Sequence, residues 1–403
     1  MAGSTIDHLI SLTVFLAALL LFISLFNNML QTAILYQRHK YLATKCSDLL
    51  DNMLLTPGIP ANWSKLNVNP VGFGLQDPEF TQYQLSPFSL MRLQYSPGEP
   101  IYYRGTNQWY SNITLEFGDF LLVSSAKALN YSYVAKLLGI NNTYGFQLTL
   151  TPIVDVKITE TRAGEPLTID VMVTGKSFPL ANAEVSYCFL KVITQGSQSP
   201  PAYQISYGSA YTNENGVATL SFSGVNSGDA YTLIACARLS GLVGVGFHQR
   251  VTGYQNYVIP FVESIEDGRV ILAHSYDVHN FDSPESAVFF NATFIHMSED
   301  FTFHIMENYQ EIAGNVNYSK SQYANITLPL EPGILVVTYQ SNNEYGVVLM
   351  PWGLSSMAFP VIFGGNPANQ EWVATDTRQV LVDKIAYEAK LALWSLEGYG
   401  VIG

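Results

Sequence analysis

The N-terminal pattern consists of an apolar half followed by an amphipathic half, with no helix breaker between them. Leu9–Phe26 contains no charged residue and is about long enough to cross the hydrocarbon core of a bilayer. Beyond it, apolar residues recur at helical spacing and form one stripe: Leu35, Leu42, Cys46, Leu49 and Met53. The first breakers are Pro57-Gly58. The pattern predicts one helix over Thr5–Leu55, ~75 Å long at 1.5 Å per residue.

Such a stripe cannot bury itself, so it must lie against the rest of its own chain, against other copies, or against both. The apolar half is interpreted as a retained membrane anchor. A cleaved secretory signal would need a basic n-region, a shorter apolar core and a small-residue cleavage site. The leader "MAGSTIDH" contains no Lys or Arg, and Asn27-Asn28 follow the apolar core.

Two signals disagree about which side of the membrane the large part occupies. Arg38, Lys40 and Lys45 follow the apolar span, which by the positive-inside rule favours a cytoplasmic location. Seven Asn-X-Ser/Thr sequons favour an extracellular, glycosylated location: Asn62, Asn112, Asn130, Asn141, Asn291, Asn317 and Asn325. We expect the large part to lie outside, at the cell surface.

The rest of the chain reads as short strands separated by Gly, Pro and acidic turns. We expect a β-rich head over 56–153 with a helical piece at "YSYVAKLLGI", a β-sandwich over 154–253 and a second β-rich domain over 254–365. The segment 366–403 has a helical composition but an alternation of Tyr387, Ala389 and Leu391 that favours strands. We predict a hairpin that returns to the head. The expected fold class is mostly β with one long N-terminal helix.

The three cysteines are Cys46, Cys188 and Cys236. Residue parity places Cys188 and Cys236 on the face of their strands that points away from the sandwich core. The segment "GEPLTIDVMV…PLANAEVSY…YTNENGVATLSF…GDAYTLIA" resembles immunoglobulin-like sandwiches, in which these two strands are neighbours. The resemblance therefore allows a cross-strand disulfide, which is predicted, with two free thiols as the alternative. Cys46 lies on the helix stripe and is interpreted as a small packing residue.

Composition narrows the function classes. Charged residues make up only 13% of the chain, and aromatic residues another 13%. The net charge of −13 argues against a nucleic-acid-binding surface, because phosphate contacts need clustered Lys and Arg. No catalytic or nucleotide-binding motif occurs, so we expect no enzyme activity and no cofactor. His274, Asp277, His279 and Asp282 suggest a metal site, but His274 does not share a strand face with His279, and polar strand residues are the preferred interpretation.

A membrane helix that runs into an amphipathic helix carrying a β-rich head resembles the type IV pilin plan. "SDLLDNMLLTPGIPANW", "FGLQDPEFTQYQLSPFSLMRL" and "YSYVAKLLGINNTYGFQLTL" resemble the corresponding segments of archaeal pilin-like secreted proteins. The resemblance covers roughly the first 150 residues and the last thirty. The sandwich segment resembles bacterial and archaeal immunoglobulin-like surface repeats, over about 100 residues.

The pilin resemblance implies cleavage by a prepilin peptidase after Gly3, which would leave Ser4 as the new N-terminus. This leader departs from the family because it lacks Lys and Arg. Pilins also carry an acid near the new N-terminus that neutralises a neighbour's terminal amine, and Asp7 is the residue that matches. The alternative is that Asp7 only stabilises the positive end of the helix.

Two functions are compatible with these features. In the first, the chain leaves the membrane as a filament subunit, and its apolar helix packs against sister helices through Leu9, Phe15, Leu19, Phe22 and Phe26. The outer β domains would then contact a surface glycan or another cell. In the second, the chain is a monomeric, membrane-anchored surface protein whose sandwiches bind a partner.

Overall fold

The computed structural model describes residues 2–80, 82–93, 99–115, 118–195, 199–252, 257–275, 278, 288–309, 313–314, 323–341, 344–353 and 358–396. The protein is mostly β, with 49% of its residues in strands, and it begins with one long helix. This helix is α1 (Ala2–Leu55), and two short helices follow, α2 (Pro87–Met91) and α3 (Tyr131–Leu137). The predicted fold class is confirmed.

The described residues contain twenty-four strands. In chain order they are β1 (Gln84–Leu85), β2 (Ile101–Tyr103), β3 (Gln108–Leu115), β4 (Gly118–Ser124), β5 (Tyr144–Pro152), β6 (Val154–Arg162), β7 (Leu167–Gly175), β8 (Phe178–Pro179), β9 (Glu184–Ile193), β10 (Ala202–Tyr211), β11 (Val217–Phe222), β12 (Tyr231–Leu239), β13 (Leu242–Arg250), β14 (Val258–Ser264), β15 (Arg269–His274), β16 (Val288–Met297), β17 (Phe303–Tyr309), β18 (Ala313–Gly314), β19 (Tyr323–Thr327), β20 (Gly333–Ser341), β21 (Glu344–Trp352), β22 (Val361–Gly364), β23 (Ala374–Val382) and β24 (Ile385–Ser395).

The helix α1 is continuous through the junction between its apolar and amphipathic halves. Neither Gly nor Pro occurs between Ser4 and Thr56, so no residue of this stretch favours a break. The helix ends just before Pro57-Gly58, and Gly58 has a φ of +82°, a conformation that a residue without Cβ adopts easily. At 1.5 Å per residue the helix is ~81 Å long.

The sheet that packs under α1 combines strands from the first 152 residues with the last strands of the chain. Its strand order is β1-β23-β24-β5-β22, and β23 and β24 form an antiparallel hairpin that pairs with β5. The C-terminal segment therefore forms strands rather than a helix. We call this five-stranded sheet the head sheet. It includes β22, so Val361–Gly364 belong here and not to the second β-rich block in which the sequence pattern placed them.

Residues 154–250 form an immunoglobulin-like sandwich. One sheet has the order β11-β7-β6, with β8 paired to β7, and the other has the order β10-β9-β12-β13. The inward side chains of both sheets share one core, which includes Ile169, Val171, Val185, Leu220 and Leu233. The alternation of these positions along each strand is what the sequence pattern predicted.

The remaining strands do not form a domain of their own. A six-stranded sheet has the order β19-β15-β14-β4-β3-β2, in which β14 pairs with β4 in parallel through Phe261 and Leu121. This sheet therefore combines strands from both sides of the sandwich, and the expected division between 56–153 and 254–365 is wrong. A second sheet, β17-β16-β20-β21 with β18 paired to β16, completes this part.

The two central strands of the sheet β10-β9-β12-β13, β9 and β12, are buried on both faces. The second face of this sheet carries Cys188, Leu190, Ile234 and Cys236, which belong to the same core as the strands β16, β20 and β21. Parity thus placed the two cysteines correctly on the side away from the sandwich core, but this side is covered by the following strands.

The predicted Cys188–Cys236 disulfide is wrong in this structure, where both thiols are free and buried. The register of β9 and β12 pairs Cys188 with Ile234 and Cys236 with Ser186. The cysteines are therefore diagonal neighbours, about 7–8 Å apart at Cα, beyond the usual disulfide range of about 4.4–6.8 Å.

The buried guanidinium of Arg92, at the end of α2, forms hydrogen bonds with the loop that follows α1. Arg92 is almost fully buried and donates hydrogen bonds to the carbonyls of Trp63, Leu66, Val68 and Lys127. Burial lowers the pKa of Arg92 to about 10. This cation therefore organises a loop, and the sequence pattern contained no sign of its burial.

We expect the thiols of Cys188 and Cys236 to remain unmodified by iodoacetamide in the folded protein at neutral pH. Burial removes access and raises the pKa of each thiol to about 12, so little thiolate is present. After denaturation without a reductant, peptide mass spectrometry should find both cysteines alkylated. A sample reduced before denaturation is the control, and a disulfide-linked peptide containing both residues would contradict the register.

Candidate functional site

The exposed part of α1 is the main candidate site. Every residue from Ile6 to Arg38 is exposed to solvent. The exposed fraction of the predicted assembly residues is 60% for Leu9, 62% for Phe15, 43% for Leu19, 67% for Phe22 and 48% for Phe26. Large apolar side chains stay exposed in water only at high cost in free energy, so lipid or protein must cover this surface.

The second half of α1 lies on the head sheet. Leu42, Cys46, Leu49 and Met53 are buried, and they face β23 and β24. The thiol of Cys46 lies 3.4 Å from the carbonyl oxygen of Leu391, which fits the small packing residue that was expected. Leu35 was expected on the same stripe but is exposed, because the helix has already left the head sheet there.

Charged groups hold this docked half in place. Arg378 of β23 donates from Nε to Asp51 Oδ1 at 2.9 Å and from Nη2 to Asp51 Oδ2 at 3.1 Å. The same Nη2 donates to Ser47 Oγ at 3.0 Å, and Asp376 lies 2.8 Å from Nη1. Two-pronged contacts of this kind between Arg and a carboxylate fix geometry as well as adding energy.

The electrostatics of this contact depend on ionised carboxylates. The hydrogen bonds that Arg378 donates to Asp51 and Asp376 raise the pKa of Arg378. Partial burial opposes ionisation of Asp376, but hydrogen bonds from Ser47 and Arg378 hold its pKa below the ordinary value. A lowered pKa stabilises the fold only while the carboxylate is ionised. Its contribution is therefore present above about pH 4 and is lost as the pH falls through the lowered pKa.

Two ring contacts lie on the docked half and mark where it begins. The ring of His39 stacks on that of Trp372, with centroids 4.0 Å apart. The ammonium of Lys45 lies 5.7 Å from the centroid of the Tyr144 ring. On the N-terminal side of His39, none of the described residues of the head buries a side chain of the helix. This part of α1 therefore projects from the head as a rod.

The rod is longer than a bilayer requires. Leu9–Phe26 spans ~27 Å, close to the ~30 Å of a hydrocarbon core. Asn27–Arg38 adds ~18 Å between that segment and the head. This connecting stretch carries exposed apolar side chains at Met29, Leu30, Ile34, Leu35 and Tyr36. Apart from Leu35, these residues were not selected from the sequence, although their lack of charge was a usable signal.

The residues expected to undergo processing lie at the tip of this rod. Gly3 and Ser4 are within α1, which begins at Ala2. Asp7 is exposed and lies beyond the first turn, so the structure does not place it at the helix cap. A role of Asp7 in assembly stays a prediction.

The expected glycosylation sites differ in accessibility. Asn62, Asn130, Asn141 and Asn325 are exposed. Asn130 is also the N-cap of α3, where its side chain accepts a hydrogen bond from the backbone N–H of Tyr133 at 2.9 Å. Asn112 lies in β3, and Asn317 lies outside the described residues.

Asn291 is a correction to the expected glycosylation sites. It lies in β16 with only 9% of its surface exposed, and its amide donates to the carbonyl oxygen of Pro201 at 2.5 Å. A glycan attached to this nitrogen would replace a buried contact between β16 and the segment before β10.

The residues considered for a metal site are not brought together by the described structure. His274 is buried at the end of β15. Asp277, His279 and Asp282 lie outside the described residues.

Comparisons with known proteins give only distant similarities. No family model matches the chain, and no curated protein matches it. Among solved structures, it is similar to trypsin-activated α2-macroglobulin from Escherichia coli, with 10% identity and a TM-score of 0.20 over 57% of this chain. The chain spans 18% of that protein.

Two further solved structures are similar at the same level. A two-domain fibronectin type III segment of chicken tenascin has 10% identity and a TM-score of 0.16, covering 51% of this chain and 99% of the segment. Red sea bream transglutaminase has 11% identity and a TM-score of 0.18, covering 61% of this chain and 37% of that protein.

We expect Arg378→Met to weaken the docking of α1 on the head sheet. Loss of the contacts with Asp51 and Ser47 should lower the free energy needed to separate α1 from the head sheet by about 1–2 kcal/mol. This value takes into account that the Arg378 and Asp51 side chains are partly exposed to solvent. Hydrogen exchange of the amides of Leu42–Leu54 measures this change. Arg269→Met, which removes an exposed arginine of β15, a strand outside the head sheet, is the matched control. Equal exchange in the two variants would contradict a role for Arg378 in docking.

For the sequons, we expect no glycan on Asn291 in protein isolated from its native cell surface. Glycopeptide mass spectrometry should find modification confined to exposed sites such as Asn62, Asn141 and Asn325. Asn291→Ala should destabilise the protein by about 1–2 kcal/mol because it leaves a buried carbonyl without its donor. The control is Asn325→Ala, whose residue is exposed. A glycan on Asn291 would show that the β16 contact is wrong.

Proposed function

We propose that the protein is a structural subunit of an extracellular, type IV pilus-like filament that assembles through α1. The observation that supports this most is the bare rod Ile6–Arg38, which is continuous with a helix half fixed to the head sheet. A rod held rigidly by one end positions its apolar surface at a constant angle to the head. That property suits repeated packing of identical copies.

The apolar segment is suited to two different surroundings. Leu9–Phe26 is stable in lipid before assembly, because each apolar side chain has acyl chains around it. Sister helices can replace these chains at little cost, because side chains such as Phe15 and Phe22 remain in apolar surroundings. The segment is thus compatible both with a membrane and with a filament core.

The connecting stretch favours the filament over a lone anchor. When lipid covers Leu9–Phe26, Asn27–Arg38 lies at or beyond the headgroups, where Met29, Leu30 and Ile34 lose apolar cover. Burying such a side chain contributes about 1.5–3 kcal/mol. Packing against other copies recovers this energy over the whole stretch, so the filament accounts for exposed side chains that a lone anchor leaves unexplained.

The outer β domains extend the proposal to adhesion at the cell surface. Once helices form the core, the sandwich and the sheets that follow it are carried on the outside. Charged residues make up only 13% of the chain, and the sequons at Asn62, Asn141 and Asn325 point to an extracellular location. A surface glycan or another cell is the proposed partner of these domains.

The alternative function is a monomeric, membrane-anchored surface protein. One observation favours it. Tyr36 and Tyr41 are exposed close to Arg38 and Lys40, and aromatic and basic residues of this kind are enriched where a membrane helix meets the headgroups. In this case the helix stays in lipid and the sandwiches act alone.

We expect Ile34→Lys to prevent filament formation while the protein still inserts in the membrane. Ile34 lies outside Leu9–Phe26, so lipid anchoring is retained, whereas packing against a sister helix would bury the added charge at high cost. Ile34→Leu is the matched control and should form filaments. Negative-stain images of sheared cell-surface fractions, with immunogold labelling, give the readout.

Each outcome of this experiment distinguishes the two functions. Filaments from the wild type and Ile34→Leu, with Ile34→Lys recovered only from detergent-solubilised membrane, support assembly. Recovery of all three chains only from membrane supports the monomeric anchor and overturns the filament proposal. Mass spectrometry of the N-terminus of the same material shows whether Met1–Gly3 are removed and Ser4 becomes the first residue.

A further inference from the structure

The strand β10 is an unprotected sheet edge. It pairs with β9 over its whole length, from Ala202–Ile193 to Tyr211–Glu184, without a register shift. It is the last strand of its sheet, and no described strand pairs with its other side. Gln204, Ser206, Tyr207, Ser209 and Tyr211 are exposed. Proteins usually blunt such edges with charges, prolines, bulges or short strands.

None of these protective devices is present in β10. The sequence "AYQISYGSAY" contains no charged residue and no proline, and at ten residues the strand is longer than most. In a chain of net charge −13, an uncharged strip of this length is a place where two copies can approach without repulsion between like charges.

The hydrogen-bond pattern identifies which backbone groups face outward. Thr212, just after β10, donates its N–H to the carbonyl of Ala183 at 3.0 Å, on the β9 side. On β9 itself, Val192 donates to Ala230 at 2.9 Å, on the β12 side. Because donors alternate in direction along a strand, the even residues of β10 bond to β9 and the odd residues point to the open edge.

At the other end of the same sheet, one face of β13 is covered by the facing sheet. At β13, a Cβ added to Gly244 would lie 2.8 Å from the carbonyl oxygen of Val154, and one added to Gly246 would lie 2.3 Å from that of Val156. The strand β6 of the facing sheet therefore covers β13 at very close approach. Two-fold pairing of β10 with β10 would use the same edge in both copies, so it would end at two copies instead of continuing.

We propose that β10 pairs with β10 of a second copy of this chain, antiparallel and about a two-fold axis. An antiparallel partner meets the outward N–H and C=O groups of Ile205, Tyr207 and Ser209 with the same groups of its own strand. The two strands are identical and uncharged, so the interface is self-complementary. The result is an eight-stranded sheet that runs through both sandwiches.

Ser209→Pro should prevent the pairing of β10 with a second copy without destabilising the fold of the chain. The N–H of Ser209 points outward, so proline at this position removes no bond to β9 and places its ring on the open side. Tyr207→Lys is a second variant, which supplies the charge that natural edges carry. Met172→Lys is the matched control, because Met172 is exposed on β7, an inner strand of the other sheet.

The experiment uses the full chain in detergent, carrying Ile34→Lys so that association through α1 does not hide association through β10. Sedimentation velocity over a range of concentrations should show a dimer for this chain and for the Met172→Lys control. Ser209→Pro and Tyr207→Lys should raise the dissociation constant by roughly tenfold or more, because each removes or blocks ladder contacts.

Hydrogen exchange provides the second readout. The amides of Ile205, Tyr207 and Ser209 should become protected as the concentration rises, whereas the amides that bond to β9 should be protected at every concentration. A monomer at all concentrations, or a dimer unaffected by Ser209→Pro, overturns the pairing of β10. Neither result bears on filament assembly through α1, which is judged from chains without the Ile34→Lys change.

Discussion

The docking of one half of α1 on β23 and β24 is the interaction on which the rest of this structure depends. Leu42, Cys46, Leu49 and Met53 bury a single stripe, and the contact of Arg378 with Asp51 sets its direction. Because the helix has no break, fixing one half fixes the other. The orientation of the exposed half is therefore set by contacts that begin at His39, well beyond the apolar segment Leu9–Phe26.

This arrangement explains why the last strands of the chain pair with an early one. The hairpin β23–β24 provides the surface under the helix, and β24 is held in turn by β5 along nine residue pairs. All strands from β6 to β21 lie in sequence between these two partners. The insertion is also tied to the head sheet, since Lys384 donates to the carbonyl of Met297 and Lys176 lies 2.6 Å from Glu388. The outer domains are thus coupled to the helix through packed contacts.

The sequence predicted the structure correctly wherever a local hydrophobic periodicity determines it. The long helix follows from apolar spacing without a breaker, and the sandwich strands follow from alternation in segments such as Leu167–Gly175. Parity also placed Cys188 and Cys236 on the correct face. Pairing register and the covering of that face depend on contacts between distant segments, which have no local period, and the disulfide was wrong for that reason.

The other errors have the same origin. The parallel pairing of β4 with β14 joins segments more than a hundred residues apart, so no turn signal announced it. Asn291 satisfies the sequon pattern, yet its burial follows from packing between β16 and Pro201. For the candidate site, the apolar segment could be selected from its lack of charge. The role of Asn27–Arg38 could not be predicted, because it depends on where the helix leaves the head sheet. That point is His39: the residues before it are exposed, and the apolar stripe after it is buried.

The two surfaces that the protein leaves uncovered impose different symmetries. Helices that pack side by side around a filament axis all run in the same direction, which requires a head-to-tail, heterologous relation between copies. An antiparallel pair of β10 strands requires a two-fold axis, which reverses that direction. A filament whose subunits are related only by a screw operation contains no such axis within itself. Pairing through β10 would therefore join subunits of two filaments that run in opposite directions, so one chain would use α1 to build a fibre and its sandwich edge to link fibres.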